Sequence, residues 1–273
     1  MQHIASQDAL RTSTDRLLEI AGGLDDEELG RLGSDLQAVS ELLERQPGLR
    51  RTLSEATTPV DGRAQLIGNL LRGRIAEPAS ATVDTAIRQP WANGSDLREG
   101  IGRLGRTATF LRAERSGQLD DVEDQLFRFS RIVDATPELS LALDDPTTDP
   151  DARASLVERL LTGRAAPLTV ELLTGLAQHP GGRSYAHGVH ELVEQAAERK
   201  DKLVAVVQSA AELSDGQVDR LRSALQRIYH RDLVLHVAVE PNLLGGLRIS
   251  VGDEVIDGSV AGRLDTLRRA LAG

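Results

Sequence analysis

From Asp25 onward, Leu29, Leu32, Leu36, Val39 and Leu43 recur at intervals of three and four residues, which sets them on one stripe of a helix several turns long. Pro47-Gly48 closes that helix. Before it, Leu10, Leu17 and Leu18 predict a helix over 7–20, ended by Gly22-Gly23. After it, Thr58, Pro59 and Asp61 read as a cap, a first-turn proline and an acid at the positive end of the helix dipole. The helix they open carries Leu66, Leu70 and Leu71 and stops at Gly73. Leu97, Ile101, Leu104, Ala108 and Leu111 then hold helical spacing and predict one continuous helix from about Ser95 to Ser116.

After Arg199 the period shortens to two. Leu203, Ala205 and Val207 predict a strand, Ser214 and Gln217 a capping box, and Val218, Leu221, Leu225 and Ile228 the helix behind it. Leu233, Leu235, Val237 and Val239 form the clearest strand pattern, with His236 and Glu240 on the opposite face. Leu247, Ile249 and Val251 alternate with Arg248 and Ser250, and Gly252-Asp253 permits a reversal into Val255-Ile256. Asp257-Gly258-Ser259 stops that strand and offers an oxygen to a last helix, Val260 to Leu271. The order is strand, helix, three strands, helix: a small α+β module behind a helical array.

The helical punctuation occurs twice. Pro47 and Pro137 lie ninety residues apart, and so do Leu53 and Leu143, Thr57-Thr58 and Thr147-Thr148, Asp61 and Asp151, Arg63 and Arg153, and Gly73-Arg74 and Gly163-Arg164. Over Leu36 to Arg74, 15 of 39 ungapped positions are identical to their counterparts. Beyond Pro90 and Pro180 the spacing drops to 88, aligning Gly100-Ile101 with Gly188-Val189. Two copies, each of domain size, indicate a duplication rather than a solenoid. The expected fold is mainly α: two tandem helical bundles, 1–105 and 106–200, followed by an α+β C-terminal domain, 201–273.

Composition narrows the function classes. In 273 residues aromatics are only 2%, so the core is built from Leu, Val, Ile and Ala. A net charge of -10 disfavours a nonspecific binder of nucleic-acid phosphates. Without a Cys there is no disulfide, thiol catalysis or Cys-ligated zinc. No secretory signal pattern opens the chain and no apolar run is long enough to span a bilayer, so a membrane connection is expected only through a partner.

Candidate chemistry is thin. His187 and His190, with Glu191 and Glu194, could place metal ligands on one side of a helix, although a solvated polar face explains them as well. Asp120-Asp121 and Asp144-Asp145 read as helix starts or turns, because adjacent residues do not face each other on a helix. Gly245-Gly246 lacks the Lys and Ser/Thr of a phosphate loop, and Ser259 is in no nucleophile elbow. Arg103 to Arg115 carries only Phe110 as an aromatic, which makes a poor single-strand platform.

The C-terminal residues GGLRISVGDEVIDGSVAGRLDTL, preceded by VAVEPNLL and SAAELSDGQVDRL, resemble the C-terminal region of the delta subunit of bacterial F-type ATP synthase, equivalent to the mitochondrial oligomycin-sensitivity-conferring protein. ATFLRAERSGQLDDVEDQLFRFSRIVDATPEL, from Ala108 to Leu139, is similar to the start of that family's helical domain. The resemblance implies a non-catalytic joint of the peripheral stalk, peripheral to the cytoplasmic face of the membrane and without a cofactor. Its helical bundle would hold alpha subunits and its C-terminal part would meet the b subunits. An ordinary member has one bundle; this chain resembles actinobacterial members with an added one, without the b-type segment fused in front of some of them.

The family's alpha contact is an amphipathic helix laid in a bundle groove, so the partner-facing candidates are Phe110, Leu111, Leu172, Leu173 and Leu176 in the second copy, and Leu10, Leu17, Val83 and Ile87 in the first. Leu264, Leu267 and Leu271 of the last helix are the candidates in the b-facing module. Each groove candidate is equally readable as intrabundle core. The competing readings are a generic helical adaptor and a metal-dependent enzyme centred on His187 and His190.

Overall fold

The computed structural model describes residues 3–55, 57–200, 203–229, 233–240, 243, 245–251 and 254–257. They divide between two compact units, Met1–Ala197 and Glu198–Gly273.

The first unit is helical. Its elements are α1 (Ile4–Ala21), α2 (Asp26–Arg45), α3 (Pro47–Ser54), α4 (Val60–Leu71), α5 (Glu77–Arg88), α6 (Gly94–Arg115), α7 (Leu119–Ala135), α8 (Pro137–Asp144), α9 (Pro150–Leu161), α10 (Pro167–Gln178) and α11 (Tyr185–Lys200). The duplication is visible in the elements. α3, α4 and α5 recur as α8, α9 and α10 with equal lengths. Gly73 and Gly163, which end α4 and α9, take φ of 71° and 72°, a left-handed backbone that favours glycine.

The leucine stripes face inward as their spacing requires. Leu29, Leu32, Leu36, Val39 and Leu43 of α2 are buried with Leu97, Ile101, Leu104 and Leu111 of α6 in one core. A second core gathers Phe110 and Ala113 of α6 with Val122, Leu126, Phe129, Leu172, Leu173 and Tyr185. α6 therefore belongs to both cores, on different faces of one uninterrupted helix. The continuous helix expected from Ser95 to Ser116 runs from Gly94 to Arg115, capped by Asn93, whose side chain accepts from the Asp96 amide at 2.8 Å.

One local expectation differs. Thr58 does not cap α4: the helix opens at Val60 with Pro59 ahead of it and no side-chain cap, whereas Asp149 caps the equivalent α9 by accepting from the Asp151 and Ala152 amides. The proline sits one position earlier in the first copy, so Pro59 occupies the cap position that Asp149 holds in the second and has no side-chain oxygen to offer.

The second unit contains β1 (Leu203–Ser209), α12 (Asp215–Tyr229), β2 (Leu233–Val239), β3 (Leu247–Val251) and β4 (Glu254–Asp257), with sheet order β2-β1-β3-β4. β1 and β2 run parallel, which requires a crossover, supplied by α12. β3 pairs antiparallel with β1 and with β4. Ala205, Val207, Ile249 and Val251 lie on one face and form the core with Leu225. Ser214 and Gln217 make the expected capping contact, the Ser214 amide donating to Gln217 Oε1 at 2.9 Å. The reversal at Gly252-Asp253 and the helix Val260 to Leu271, with Ser259 before it, lie outside the described residues.

Candidate partner-binding site

Leu17, Val83 and Ile87 are buried in the first core, and Leu10 is only partly covered. In the second copy Phe110, Leu111, Leu172 and Leu173 are buried, while Leu176 is half-buried. Of the described groove candidates, only Leu10 and Leu176 thus offer surface to a docking helix. Leu264, Leu267 and Leu271 lie outside the described residues.

Two glycines give large side chains room in equivalent places. A Cβ on Gly100 would collide with the ring of Trp91, whose indole donates to the Ala86 carbonyl at 2.7 Å. A Cβ on Gly188 would meet the side chain of Leu176 at 2.5 Å. Tyr185, the largest fully buried side chain, donates to the Leu173 carbonyl at 3.0 Å and meets Phe129 edge-on. Burial alone pushes its hydroxyl well above the usual tyrosine range.

The two copies meet along a polar seam beside α6. α2 crosses α6 backbone to backbone: a Cβ on Gly105 would lie 3.0 Å from the Gly33 carbonyl. Arg112 of α6 reaches Asp26 of α2 at 3.2 Å and Glu171 of α10 at 2.9 Å, and Thr109 also donates to Glu171. Burial works against the Arg112 charge, but these two carboxylates outweigh it and hold its pKa above the ordinary value. At the far end His179 contacts Glu41 of α2 at 2.6 Å. Burial pushes the His179 imidazole below its ordinary pKa, more than Glu41 raises it.

Around the turn before α11, Arg98 donates to the Gly181 carbonyl, and Arg183 pairs with Glu99 at 2.5 Å and with Glu191. Arg106 donates through Nε to Gln195, and burial lowers its pKa to about 10. A cavity of about 30 Å³ between these groups is lined by Gln37, Ser40, Glu44, Arg106 and Leu176, among others, which is room for water rather than for a substrate.

The proposed histidine pair is split between different partners. His187 lies against Arg183 and Glu191, whereas His190 contacts Asp134 of α7 at 3.1 Å. Asp144 accepts from the Tyr185 amide, and Asp145 accepts from the Thr147 hydroxyl and amide, which hold its carboxyl below the usual range. Only Asp145 makes the expected turn contact; Asp144 instead reaches the start of α11, 41 residues along the chain.

Several structural polar residues carried no sequence signal. Asp35 and Gln125, ninety positions apart, accept from the backbone amides of Ala76 and Ala166 ahead of α5 and α10. Arg115 donates to the carbonyls of Ala21 and Leu24 at the end of α1. Arg63 and Arg153 are buried, and Arg63 donates to the Leu53 carbonyl at the end of α3. Of these, only the recurrence of Arg63 as Arg153 was readable in the sequence, and not what either side chain would meet.

The comparisons agree with one another. The family model described as "ATP synthase delta (OSCP) subunit" matches residues 107–271, which takes in the C-terminal end of α6, the rest of the second copy and the C-terminal unit. An ATP synthase subunit delta from Streptomyces avermitilis is 43% identical over 270 residues, covering 99% of this chain and 98% of that protein. One from Kineococcus radiotolerans is 43% identical, covering 94% of each chain. An ATP synthase subunit b-delta from a Mycobacterium species is 42% identical over 95% of this chain but only 58% of its own length. The first copy thus lies outside the family model yet inside the matches to whole relatives, and the chain belongs to the ATP synthase delta (OSCP) subunit family.

Proposed function

We propose that this chain is a stator joint: it holds alpha subunits of the catalytic head through its helical unit, meets membrane-anchored b subunits through its C-terminal unit, and resists rotational torque. The family is a non-catalytic one, so the helical unit is to be understood as a load-bearing surface. The observation that carries the reading is α6, a single helix of 22 residues whose two faces enter two separate cores. A twist applied to one bundle reaches the other through a hydrogen-bonded rod and close-packed side chains, not through a hinge. In this reading the chain is peripheral to the cytoplasmic face of the membrane and is held there through its partners; no helix among the described residues is long and apolar enough to cross a membrane. The b-delta name of the mycobacterial relative supports the b contact. A tagged chain is expected to bring down alpha, beta and b subunits from native membranes. Recovery without alpha and b would refute the stator role.

A further inference from the structure

α6 serves the second copy as α1 serves the first, so the two helices invite comparison. α1 keeps Asp8, Arg11, Thr12, Asp15, Arg16 and Glu19 exposed, but no residue of α6 from Asp96 to Glu114 is exposed. The covering element on one side is α2. Its Gly33 lies against Gly105, Ala108 and Thr109, and a Cβ on Gly30 would touch Arg112 at 3.4 Å. Thr109 and Arg112 also bind Glu171 of α10. α2 and α10 are therefore neighbours around α6, on the outer side of the α6–α10 pair that carries the second copy's groove candidates.

The opening between α2 and α10 is tied at both ends, by Asp26–Arg112–Glu171 at one and Glu41–His179 at the other. Between the ties, a Cβ at Gly175 would find no atom within 4 Å, so the cleft is not filled. A helix, which with its side chains is about 10 Å across, could enter it only by breaking the side-chain ties at its two ends.

We infer that α2 closes the α6–α10 seam of the second copy against a partner helix, so that an alpha-subunit helix, as the stator reading requires, engages this chain outside that seam. The pair equivalent to α6–α10 in the first copy, α1–α5, has no such cover among the described residues. The first copy then acts as an intramolecular shield for the second.

The chain has no Cys, so single cysteines can carry a short photo-crosslinker in the assembled complex. Gly175→Cys and Gln178→Cys probe the seam; Thr12→Cys and Thr85→Cys probe the open pair. Adducts to alpha from the open pair, with yields at least about tenfold lower from the seam, are expected for a target out of reach of the linker. Comparable yields from Gly175→Cys would overturn the inference.

A second measurement needs no partner. In the isolated chain, the combined Asp26→Lys and Glu41→Lys changes should accelerate amide exchange across residues 100–113 while leaving α9 unchanged. Exchange over 100–113 that matches the parent chain would show that these ties do not hold the seam shut. Because this arm is independent of alpha, a failure to recover alpha would count against the stator reading and leave the closure decided.

Discussion

At the residue scale, what matters is which atoms a side chain is pressed against. Gly100 has no spare space because Trp91 occupies it. Gly100→Val should cost about 1–3 kcal/mol through overpacking, seen as a lower denaturant midpoint; an unchanged midpoint would mean that Trp91 can swing aside. Tyr185→Phe removes the donor to the Leu173 carbonyl in a buried site, and should cost about 1 kcal/mol. His179 sets a pH dependence. Its pKa is depressed in the folded chain by burial, so the folded state binds fewer protons than the unfolded one. Its contribution is complete above the ordinary histidine value of about 6.5 and is lost as pH falls through the lower folded value. His179→Gln should flatten the stability profile on the acid side of neutrality; a slope equal to the parent's would assign that dependence to other groups.

At the element scale, the pair that decides the architecture is α2 with α6. Close approach at Gly33 and Gly105 lets backbones touch where side chains usually keep helix axes about 8–10 Å apart. Gly105→Leu should therefore push the helices apart and destabilise the chain by about 1–3 kcal/mol, with faster amide exchange in α2 and α6 than in α9. The same measurement on the parent chain tests continuity of α6: amides flanking Gly105 should be among the slowest to exchange, and fast exchange there would break the rod into two tethered bundles. The period of three and four made α2 and α6 legible in advance, because burying one stripe per helix is a local requirement. Capping was less legible. Thr58 looked like a cap, but Pro59 places the helix start one residue too far along, and the Asp35 and Gln125 contacts ahead of α5 and α10 come from a different helix.

At the scale of the whole molecule, the chain falls into a helical unit and an α+β unit with separate cores. Calorimetry should resolve two transitions, and residues 1–197 alone should keep the helical one; a single cooperative transition of the full chain would contradict that division. The family reading was legible from the sequence because the C-terminal strands and the helices from Ala108 onward carry spacings similar to the delta subunit. The groove was not. Phe110, Leu172 and Leu173 have the apolar character that docking needs, but that is also the character of core, and the structure buries all three.

What the sequence determined by itself was periodic or repeated: the helical stripes, the period-two strands, the duplication and the continuity of α6. Each rests on short-range spacing, where burial of one face selects among a few backbone geometries. Tertiary structure alone decided that no residue of α6 from Asp96 to Glu114 is exposed, that α2 lies beside the second copy's α10, and that Arg112 and His179 tie the copies together. Those contacts join residues 59 to 86 positions apart for Arg112 and depend on how whole helices pack. No local period encodes such a distance.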